Sequence, residues 1–542
     1  MSPFWVSREL KRTTFARMFV RKKKNKTGSV SVQAIEKSVR CGYRVKKTFG
    51  CSSDSAEVEL LYREACRWVD EQQNGLSLFP DEDWNARLYD MQFESLSQKQ
   101  LRLVGPDLIF GTLFDKIGYG YVKTDDTILF RALVVARLYH PGSKLKTVEY
   151  LQRFMHIDYS VDKVYRFLDK LCVRADNKDA VEEEGVKWQV EQISFAHTKK
   201  VMGGEISVVF YDTTTLYFES REDDIRGPGY SKDGKHSNPQ VVLGLLVGTG
   251  GNPIGYELHK GNKYEGETLI PIIKKMEKRF GLQQPMVIAD AGLLNKANIT
   301  ALEEKGYHYI LGARIRSLKQ ELKDDIQGKN LTHGQSTEII VDNRRLIVTM
   351  SEKRAQKDAV EREKGIIRLQ KKFASGKITK QSVNNRGYNS LLSIDGEMTV
   401  SIDAAKIEAA AKLDGLKGYI TNSLLPIGEI VDNYRNLFLI ERAFRFNKTD
   451  LDIRPMYHRL FNRIEAHVCI CFTAYTIMLE LERVLKASGC GISLHRAMIL
   501  AENIHELTYV NPYSKKRKSV LLKTDHDEEV TTLLKLVGKN QS

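Results

Sequence analysis

Several features that would point to a membrane, secreted or nucleotide-binding protein are missing from this sequence. Its 542 residues contain no run of about 18 uninterrupted apolar residues, so no membrane span is predicted. The first residues, MSPFWVSRELKR, lack the apolar core and cleavage site of a signal peptide. We therefore expect a cytoplasmic protein without a membrane partner. No GxxxxGK[ST] phosphate loop and no nucleophile elbow occurs either.

Cysteine and histidine do not indicate a metal centre. The seven cysteines are odd in number and form no CxxC pair, which argues against a disulfide framework and a zinc knuckle. His458 and His467 are nine residues apart, so on one continuous helix they would face opposite sides and could not share a metal. We interpret them as ordinary core or surface histidines.

Charge is the first positive signal. The formal net charge of +15 favours a polyanionic partner, because each Lys or Arg that neutralises a phosphate releases a condensed counterion. Basic soluble enzymes also exist, so charge alone leaves nucleic-acid binding open.

The length predicts two to four domains. Helical periodicity over the second hundred residues fits a DNA-binding bundle and a plain helical scaffold equally well. We predict a small α/β N-terminal module at 1–80, which is a candidate for DNA binding, then a linker at 81–100 and a helical region at 101–200. A sheet domain follows in two parts, at 201–316 and 416–490, with an insertion between them at 317–415. The chain ends in a helical tail at 491–542.

The sheet domain is predicted from an alternation of strands and helices. EISVVFYDTTTLYFE reads as a strand, and two more strands follow that are joined at Thr249–Asn252, a hairpin signal. Helix, strand, helix and strand come next, which indicates a mixed α/β sheet. After an insertion in which a charged helical stretch is flanked by strand-like pieces, the pattern resumes at KGYITNS. One long helix is predicted from about Ile427 to Phe446.

Two aspartates of this domain each follow a run of apolar residues that is predicted to be a strand. Asp212 follows Val208–Tyr211, and Asp290 ends the short strand in VIADAG. An ionised carboxylate in such a place is unfavourable without a partner or a cation. Each Asp can also simply cap the following turn. Two of them in one α/β sheet favour a site, because such sheets bind ligands at the carboxyl ends of their strands.

A glutamate on the long predicted helix is the third candidate. Tyr434, Glu441 and Lys448 are seven residues apart and would form one stripe along a regular helix. The alternative is a surface ion pair between Glu441 and Arg445 at i+4. Three carboxylates suit hard cations such as Mg²⁺, with Mn²⁺ as a substitute, and a pair of such ions is the usual apparatus for displacement at phosphorus.

At these residues the sequence resembles the IS4-type DDE transposases, and most closely the IS1634 group of bacterial insertion sequences. The similar segments are YDTTTLYFE, GYSKDGKHSNPQVVLGLLV, PIGYELHKGN, VIADAGLLN, VDNYRNLFLIERAFRFNK and RPMYHRLFNRIEAHVCICFTAY. Their order and spacing are more specific than any one of them.

The resemblance implies an RNase H-like catalytic domain with a β-rich insertion between the second Asp and the Glu. It implies a catalytic, metal-binding triad of Asp212, Asp290 and Glu441. The family's Tyr–Arg–Glu–Lys signature falls on Tyr434, Leu437, Glu441 and Lys448. Leucine thus replaces the family arginine, and Arg435 or Arg445 are the candidates for its charge.

The resemblance also implies binding to double-stranded DNA at the element ends and at the target. A homodimer in the synaptic complex, cut-and-paste transposition and association with the nucleoid are further implications. Two other functions share parts of this pattern. They are an RNase H-like nuclease without strand transfer and a catalytically inactive DNA-binding relative.

Overall fold

A computed structural model describes most of the chain. The described residues are 18–38, 42–74, 96–172, 185–218, 240–375, 383–384, 387–395, 399–453, 458, 460–511, 516–522 and 524–538. Most of the predicted linker, residues 81–95, lies outside them. So do the segments GYSKDGKHSNP and RPMY of the motifs quoted above.

The secondary structure mixes strands and helices throughout. The strands are β1 (Met18–Lys24), β2 (Val30–Ser38), β3 (Gly42–Ser52), β4 (Leu101–Leu103), β5 (Val208–Tyr217), β6 (Gln240–Gly248), β7 (Pro253–Lys260), β8 (Met286–Ala289), β9 (Tyr309–Ala313), β10 (Ser336–Val341), β11 (Arg344–Met350), β12 (Leu392–Asp395), β13 (Thr399–Ile402), β14 (Leu416–Thr421), β15 (His505–Val510) and β16 (Arg517–Leu521).

The helices are α1 (Ser55–Asn74), α2 (Thr112–Ile117), α3 (Thr127–Tyr139), α4 (Lys144–Tyr150), α5 (Val161–Leu171), α6 (Val186–Val201), α7 (Leu269–Phe280), α8 (Lys296–Glu304), α9 (Gln320–Gly328), α10 (Glu352–Ala374), α11 (Ala404–Ala411), α12 (Ile427–Arg435), α13 (Phe438–Thr449), α14 (Phe461–Ser488), α15 (Leu494–Glu502) and α16 (Asp527–Val537). Within the described part of the chain, no helix combines the length and the apolar character needed to cross a membrane.

The chain divides into two compact units. The smaller comprises residues 1–105 and 499–530, and the larger comprises 106–498 and 531–542. In the smaller unit, β1, β2 and β3 form an antiparallel sheet on which α1 packs. A second three-stranded sheet in this unit has the order β16–β15–β4. The first sheet is rich in Lys and Arg, as in MFVRKKK of β1, because only its α1-facing side needs apolar residues.

The larger unit is built on an eight-stranded sheet with the order β10–β11–β14–β9–β8–β5–β6–β7. Strands β5, β6 and β7 form an antiparallel meander, and β8 and β9 add in parallel on the other side of β5. Three antiparallel strands followed by two parallel ones, with the first strand central, is the RNase H-like arrangement. The predicted mixed α/β fold is confirmed.

The hairpin between β6 and β7 depends on glycine. Gly250 and Gly251 have φ values of 74° and 82°, a left-handed backbone that residues with a side chain rarely adopt. Asn252 closes the turn by donating its side-chain amide to the carbonyl oxygen of Thr249 at 2.8 Å. This is the position at which the sequence predicts a hairpin.

The alternation of side chains along each strand determines which residues lie on each face of the sheet. Apolar side chains of β5, β8 and β9 pack with α7 and α8 in one core, which contains Val209, Tyr211, Val287, Ala289, Tyr309 and Leu311. Because side chains alternate along a strand, Asp212, Asp290 and Gly312 belong to the opposite face. Helix α12 packs against β8 and β9, and α13 packs against β5 and β6.

The segment predicted as an insertion contributes to the same sheet. Strands β10 and β11 form a hairpin, and β11 pairs with β14 so that Met350 stands opposite Leu416. The remainder of the segment, α10 with the β12–β13 hairpin, encloses a separate small core around Leu369.

The prediction of one long helix from Ile427 to Phe446 is wrong, because two shorter helices, α12 and α13, take its place. Between α12 and α13 the backbone forms hydrogen bonds to the third preceding residue: Leu437 N–H to Tyr434 O at 3.0 Å and Ile440 N–H to Leu437 O at 3.2 Å. Such bonds tighten the turn and change the rotation per residue. Tyr434 and Glu441 therefore do not lie on one regular helical stripe.

A buried lysine links three elements of the larger unit. The ammonium of Lys187, on α6, lies 3.1 Å from the carboxylate of Glu465 on α14 and 3.8 Å from that of Glu257 on β7. It also lies 4.5 Å from the ring centroid of Tyr256. Although burial opposes its charged form, the neighbouring carboxylates, Glu257 above all, raise the pKa of Lys187. The charge is thus held by the packing of helices against the sheet.

Replacing Lys187 with methionine should lower the free energy of unfolding of the larger unit by about 3–5 kcal/mol, because the buried Glu465 would lose its ammonium partner. Glu257 would lose one of its two cations and keep Lys275. Lys486→Met is the matched control. Its ammonium pairs with Glu482 one helical turn away and its side chain is 71% exposed, so a loss below about 1 kcal/mol is expected. Denaturant unfolding followed by circular dichroism measures both, and equal losses would contradict the assignment.

Candidate active site

The two predicted aspartates occupy neighbouring strand positions. In the parallel pairing of β5 with β8, Tyr211 stands opposite Ala289, and Asp212 and Asp290 are the next residues on each strand. Neighbouring strands are about 4.7–4.9 Å apart. Both side chains are half-buried. The sheet therefore brings two carboxylates together at the point where β8 ends.

Asp290 makes the local hydrogen bonds that the turn-capping alternative predicts, whereas Asp212 lies within β5 and is not followed by a turn. Asp290 Oδ1 accepts from the backbone N–H of Gly292 at 2.8 Å and of Leu293 at 3.3 Å. Asp212 Oδ1 accepts from the N–H of Thr213 at 2.7 Å. For Asp290 these bonds use one oxygen, and Oδ2 accepts no hydrogen bond from any residue that the structure describes. Capping thus orients the carboxylate and leaves an oxygen for a further ligand.

A buried tyrosine from α12 lies beside the aspartates. The Tyr434 hydroxyl sits directly over the α-carbon of Gly312 on β9, where any side chain would overlap it. Its ring packs edge-on against Tyr419 of β14, with ring centroids 4.7 Å apart. In the pairing of β14 with β9, Tyr419 stands opposite Gly312, so both are on the face that carries the aspartates. Glycine at position 312 makes the room for this phenol.

Electrostatics connect this phenol to all three predicted carboxylates. Burial raises the pKa of Tyr434, and the negative charge of Asp290 adds to the rise. Smaller contributions in the same direction come from Asp212 and Glu441. Asp212, Asp290 and Glu441 therefore all lie within electrostatic reach of one hydroxyl group.

Glu441 lies in the first turn of α13 with its side chain exposed. Among the described residues it forms no ion pair, so the alternative pairing with Arg445 is not formed. The helix itself is fixed by its apolar side, where Ile440, Ala443 and Phe444 are buried. The carboxylate is thus carried by a packed helix without being neutralised locally.

The other residues of the predicted signature differ in exposure. Leu437 is buried, with 7% of its surface exposed, and supplies apolar packing. Arg435 is exposed and its guanidinium lies 2.9 Å from Asp432. Arg445 is exposed, and Lys448, near the end of α13, is half-buried.

The sequence of this chain matches a known protein family. The profile described as "Transposase DDE domain" matches residues 203–477, just over half of the chain. The chain belongs to this family. The matched region contains Asp212, Asp290 and Glu441, and it begins just before β5 and ends within α14. No curated protein matches the sequence.

Solved structures of other transposases are distantly similar to this one. A piggyBac transposase synaptic complex with hairpin DNA is 12% identical, with 73% of this chain and 76% of that chain covered and a TM-score of 0.38. The Mos1 paired-end complex with the left transposon end is 14% identical over 48% and 77%, with a TM-score of 0.15. The Drosophila P element strand transfer complex is 11% identical over 76% and 90%, with a TM-score of 0.21.

DDE transposases use divalent metal ions. Within the described ranges, no group of three or more His, Cys, Asp and Glu side chains is arranged to hold a metal ion. The donor chemistry nevertheless fits Mg²⁺, which is commonly bound by one or two carboxylates and completed by water and substrate phosphates. Asp212 and Asp290, side by side and half-buried, provide such a pair.

The structure adds one acidic side chain that the sequence argument missed. An added β-carbon on Gly292 would stand 3.0 Å from Asp290 Oδ1 and 3.3 Å from Glu265 Oε2, so both carboxylates face the same glycine. Glu265 lies in the short 3₁₀ turn Glu265–Glu267 that follows β7. Its position after the HKGN turn carried no strand-end signal, which is why the pattern did not reveal it.

His458 and His467 contact each other, so the prediction that they face opposite sides of one helix is wrong. His458 precedes α14 and is not part of it, and its ring centroid lies 5.3 Å from that of His467. Burial lowers the pKa of His458 to about 3 and holds the pKa of His467 well below its usual value. The two rings are therefore neutral and packed together in the interior at neutral pH.

Gly312→Ala should destabilise the larger unit and displace Tyr434, because the new methyl group overlaps the hydroxyl. We expect a loss of about 1–3 kcal/mol. Adding Tyr434→Phe removes the overlapping oxygen and should recover part of the loss in a double-mutant cycle. Gly328→Ala, where nothing lies within 4 Å, serves as the control and should not destabilise. A purely additive cycle in unfolding experiments would argue against the contact.

Proposed function

We propose that this transposase binds the inverted repeats at the ends of its element, cleaves the DNA there and joins the freed 3′-hydroxyl to target DNA. We place it in the IS4-type families, in the bacterial IS1634 group. The observation that supports the proposal most is the parallel pairing of β5 with β8, which puts Asp212 and Asp290 side by side. The Tyr434 hydroxyl beside them, within reach of Glu441, adds to it.

In this proposal Asp212, Asp290 and Glu441 are the catalytic and metal-binding residues. Mg²⁺, or Mn²⁺ in its place, would lower the pKa of the attacking water or 3′-hydroxyl and stabilise the leaving oxygen. The backbone N–H groups of Gly292 and Leu293 hold the Asp290 carboxylate in one orientation before DNA arrives. The protein thereby reduces the reorganisation needed in the reaction.

Four residues of α12 and α13 are proposed to hold DNA phosphates: Tyr434, Arg435, Arg445 and Lys448. The buried Leu437 cannot supply the charge of the family arginine. Arg435 is the better replacement, since it lies one residue after Tyr434 and its present partner, Asp432, is exposed and easily exchanged for a phosphate.

The proposed partners are double-stranded element ends and target DNA, held by a homodimer in the synaptic complex and located with the nucleoid. The net charge of +15 supports a polyanionic partner. We further propose that residues 1–80 and 101–200 contribute to DNA binding. Inverted repeats that bracket the reading frame would supply the DNA substrate for the experiments below.

The nuclease alternative is separated by a strand-transfer assay. Pre-cleaved ends that carry a 3′-hydroxyl are incubated with a supercoiled target and Mg²⁺. A transposase joins them to the target, whereas a nuclease without strand transfer does not. The inactive DNA-binding alternative predicts DNA retention with neither reaction.

Asp212→Asn should lower the rate of end cleavage by at least about 10²-fold, the scale for losing one group that stabilises transition-state charge, while DNA retention stays near wild type. Asp325→Asn makes the same chemical change at an exposed residue of α9 and should leave the rate unchanged. Gel assays of cleavage and of retention give both readouts. Wild-type cleavage by Asp212→Asn would refute the role of this carboxylate.

A further inference from the structure

A half-buried lysine lies next to the candidate active site and was not part of any predicted motif. Lys417 is on β14, two residues before Tyr419 and therefore on the face of the sheet that carries the aspartates. Its ammonium nitrogen lies 4.5 Å from the ring centroid of Tyr434 and 5.7 Å from that of Tyr419. Two aromatic rings thus fix the position of one cation.

This cation has no carboxylate partner within ion-pair distance among the described residues. Burial and the charge of Arg354 lower the pKa of Lys417, the carboxylate of Glu441 opposes this, and Arg435 adds to the lowering. The geometry agrees with this. Arg435 directly follows Tyr434, whose ring lies under Lys417. Arg354 precedes Ala355, which packs against Gly415 just before β14. Three cationic side chains from α10, β14 and α12 therefore lie in one region. We call Arg354, Lys417 and Arg435 the basic cluster.

The two arginines of the basic cluster are only weakly engaged. Arg354 lies 3.7 Å from Asp358 and Arg435 lies 2.9 Å from Asp432, in both cases within one turn of the same helix. The Arg435–Asp432 pair is exposed and easily exchanged for another anion, and the Arg354–Asp358 contact is long. Three like charges in one region repel one another, and a bound anion would relieve that repulsion.

We propose that the basic cluster binds one phosphodiester group of the DNA strand that enters the active site, with Lys417 as the fixed central contact. The inference rests on the proposed function, because it requires DNA in that site. A phosphate is the appropriate ligand since a lysine ammonium and guanidinium groups both bind it through charge-assisted hydrogen bonds.

The phosphate held here is a neighbour of the reacting one. Tyr434 separates the two places, with its hydroxyl towards Asp290 and its ring face under Lys417. The basic cluster therefore positions the strand, and Lys417 is a positioning residue. Because Arg354 comes from the segment between β11 and β14, the proposal also gives that segment a direct part in holding DNA.

The test compares Lys417→Met, which keeps most of the aliphatic side chain over the Tyr434 ring, with Lys412→Met. Lys412 is an exposed lysine of the same region that pairs with Glu408. Full-length protein is titrated by fluorescence anisotropy with a duplex carrying the flanking inverted repeat, over a series of salt concentrations. End cleavage is measured on the same duplex as a function of DNA concentration, and unfolding midpoints establish that both variants fold.

Lys417→Met should bind the duplex about tenfold more weakly at low salt, and its slope of log affinity against log salt should be less steep by about one. The DNA concentration for half-maximal cleavage should rise while the maximal rate falls little. Lys417→Arg should restore binding, and Lys412→Met should behave as wild type.

Equal affinities and salt slopes for Lys417→Met and Lys412→Met, with wild-type protein still binding and cleaving, would overturn the basic cluster and leave the proposed function intact. Absence of salt-dependent binding and of cleavage in the wild-type protein would instead remove the proposed function. A Lys417→Met variant that loses only maximal rate would also overturn the positioning role.

Discussion

The pairing of β5 with β8 places the side chains of Asp212 and Asp290 next to each other on adjacent strands. The strands are held by an interior of Val209, Tyr211, Val287 and Ala289, so moving either aspartate would disturb that core. The fold therefore keeps two acidic side chains close together. Adjacent carboxylates are suited to binding a hard cation, and the catalytic proposal depends on this pair.

Neighbouring elements hold a tyrosine beside the two aspartates. Helix α12 brings Tyr434 down onto the sheet, and Gly312 and Tyr419 determine how closely it can approach. Because β9 and β14 are neighbours in the sheet, Tyr434 contacts the parallel half of the RNase H-like core at Gly312 and the strand that follows the insertion at Tyr419. The aspartates thereby lie near its hydroxyl group, and Lys417 lies over its ring.

The sequence was most informative where one local signal determines the structure. β-Branched and aromatic residues predicted β5, and the Thr-Gly-Gly-Asn sequence predicted the hairpin after β6. An Asp after a run of apolar residues drew attention to Asp212 and Asp290. It failed where the decisive contact is distant along the chain. No local signal marked the tightened turn at Leu437, and His458 contacts His467 although nine residues separate them. Lys417 had no signal at all, since its importance arises from Arg354, Tyr434 and Arg435 on other elements.

The register between β11 and β14 has a consequence for how this chain tolerates change. Met350 stands opposite Leu416, so the long intervening stretch leaves the sheet and returns to it at the same place. Its two ends are neighbours whatever lies between them. Lengthening, shortening or exchanging that stretch would therefore not strain the central strands. A foreign domain inserted between these two residues would be joined to the sheet at two adjacent points.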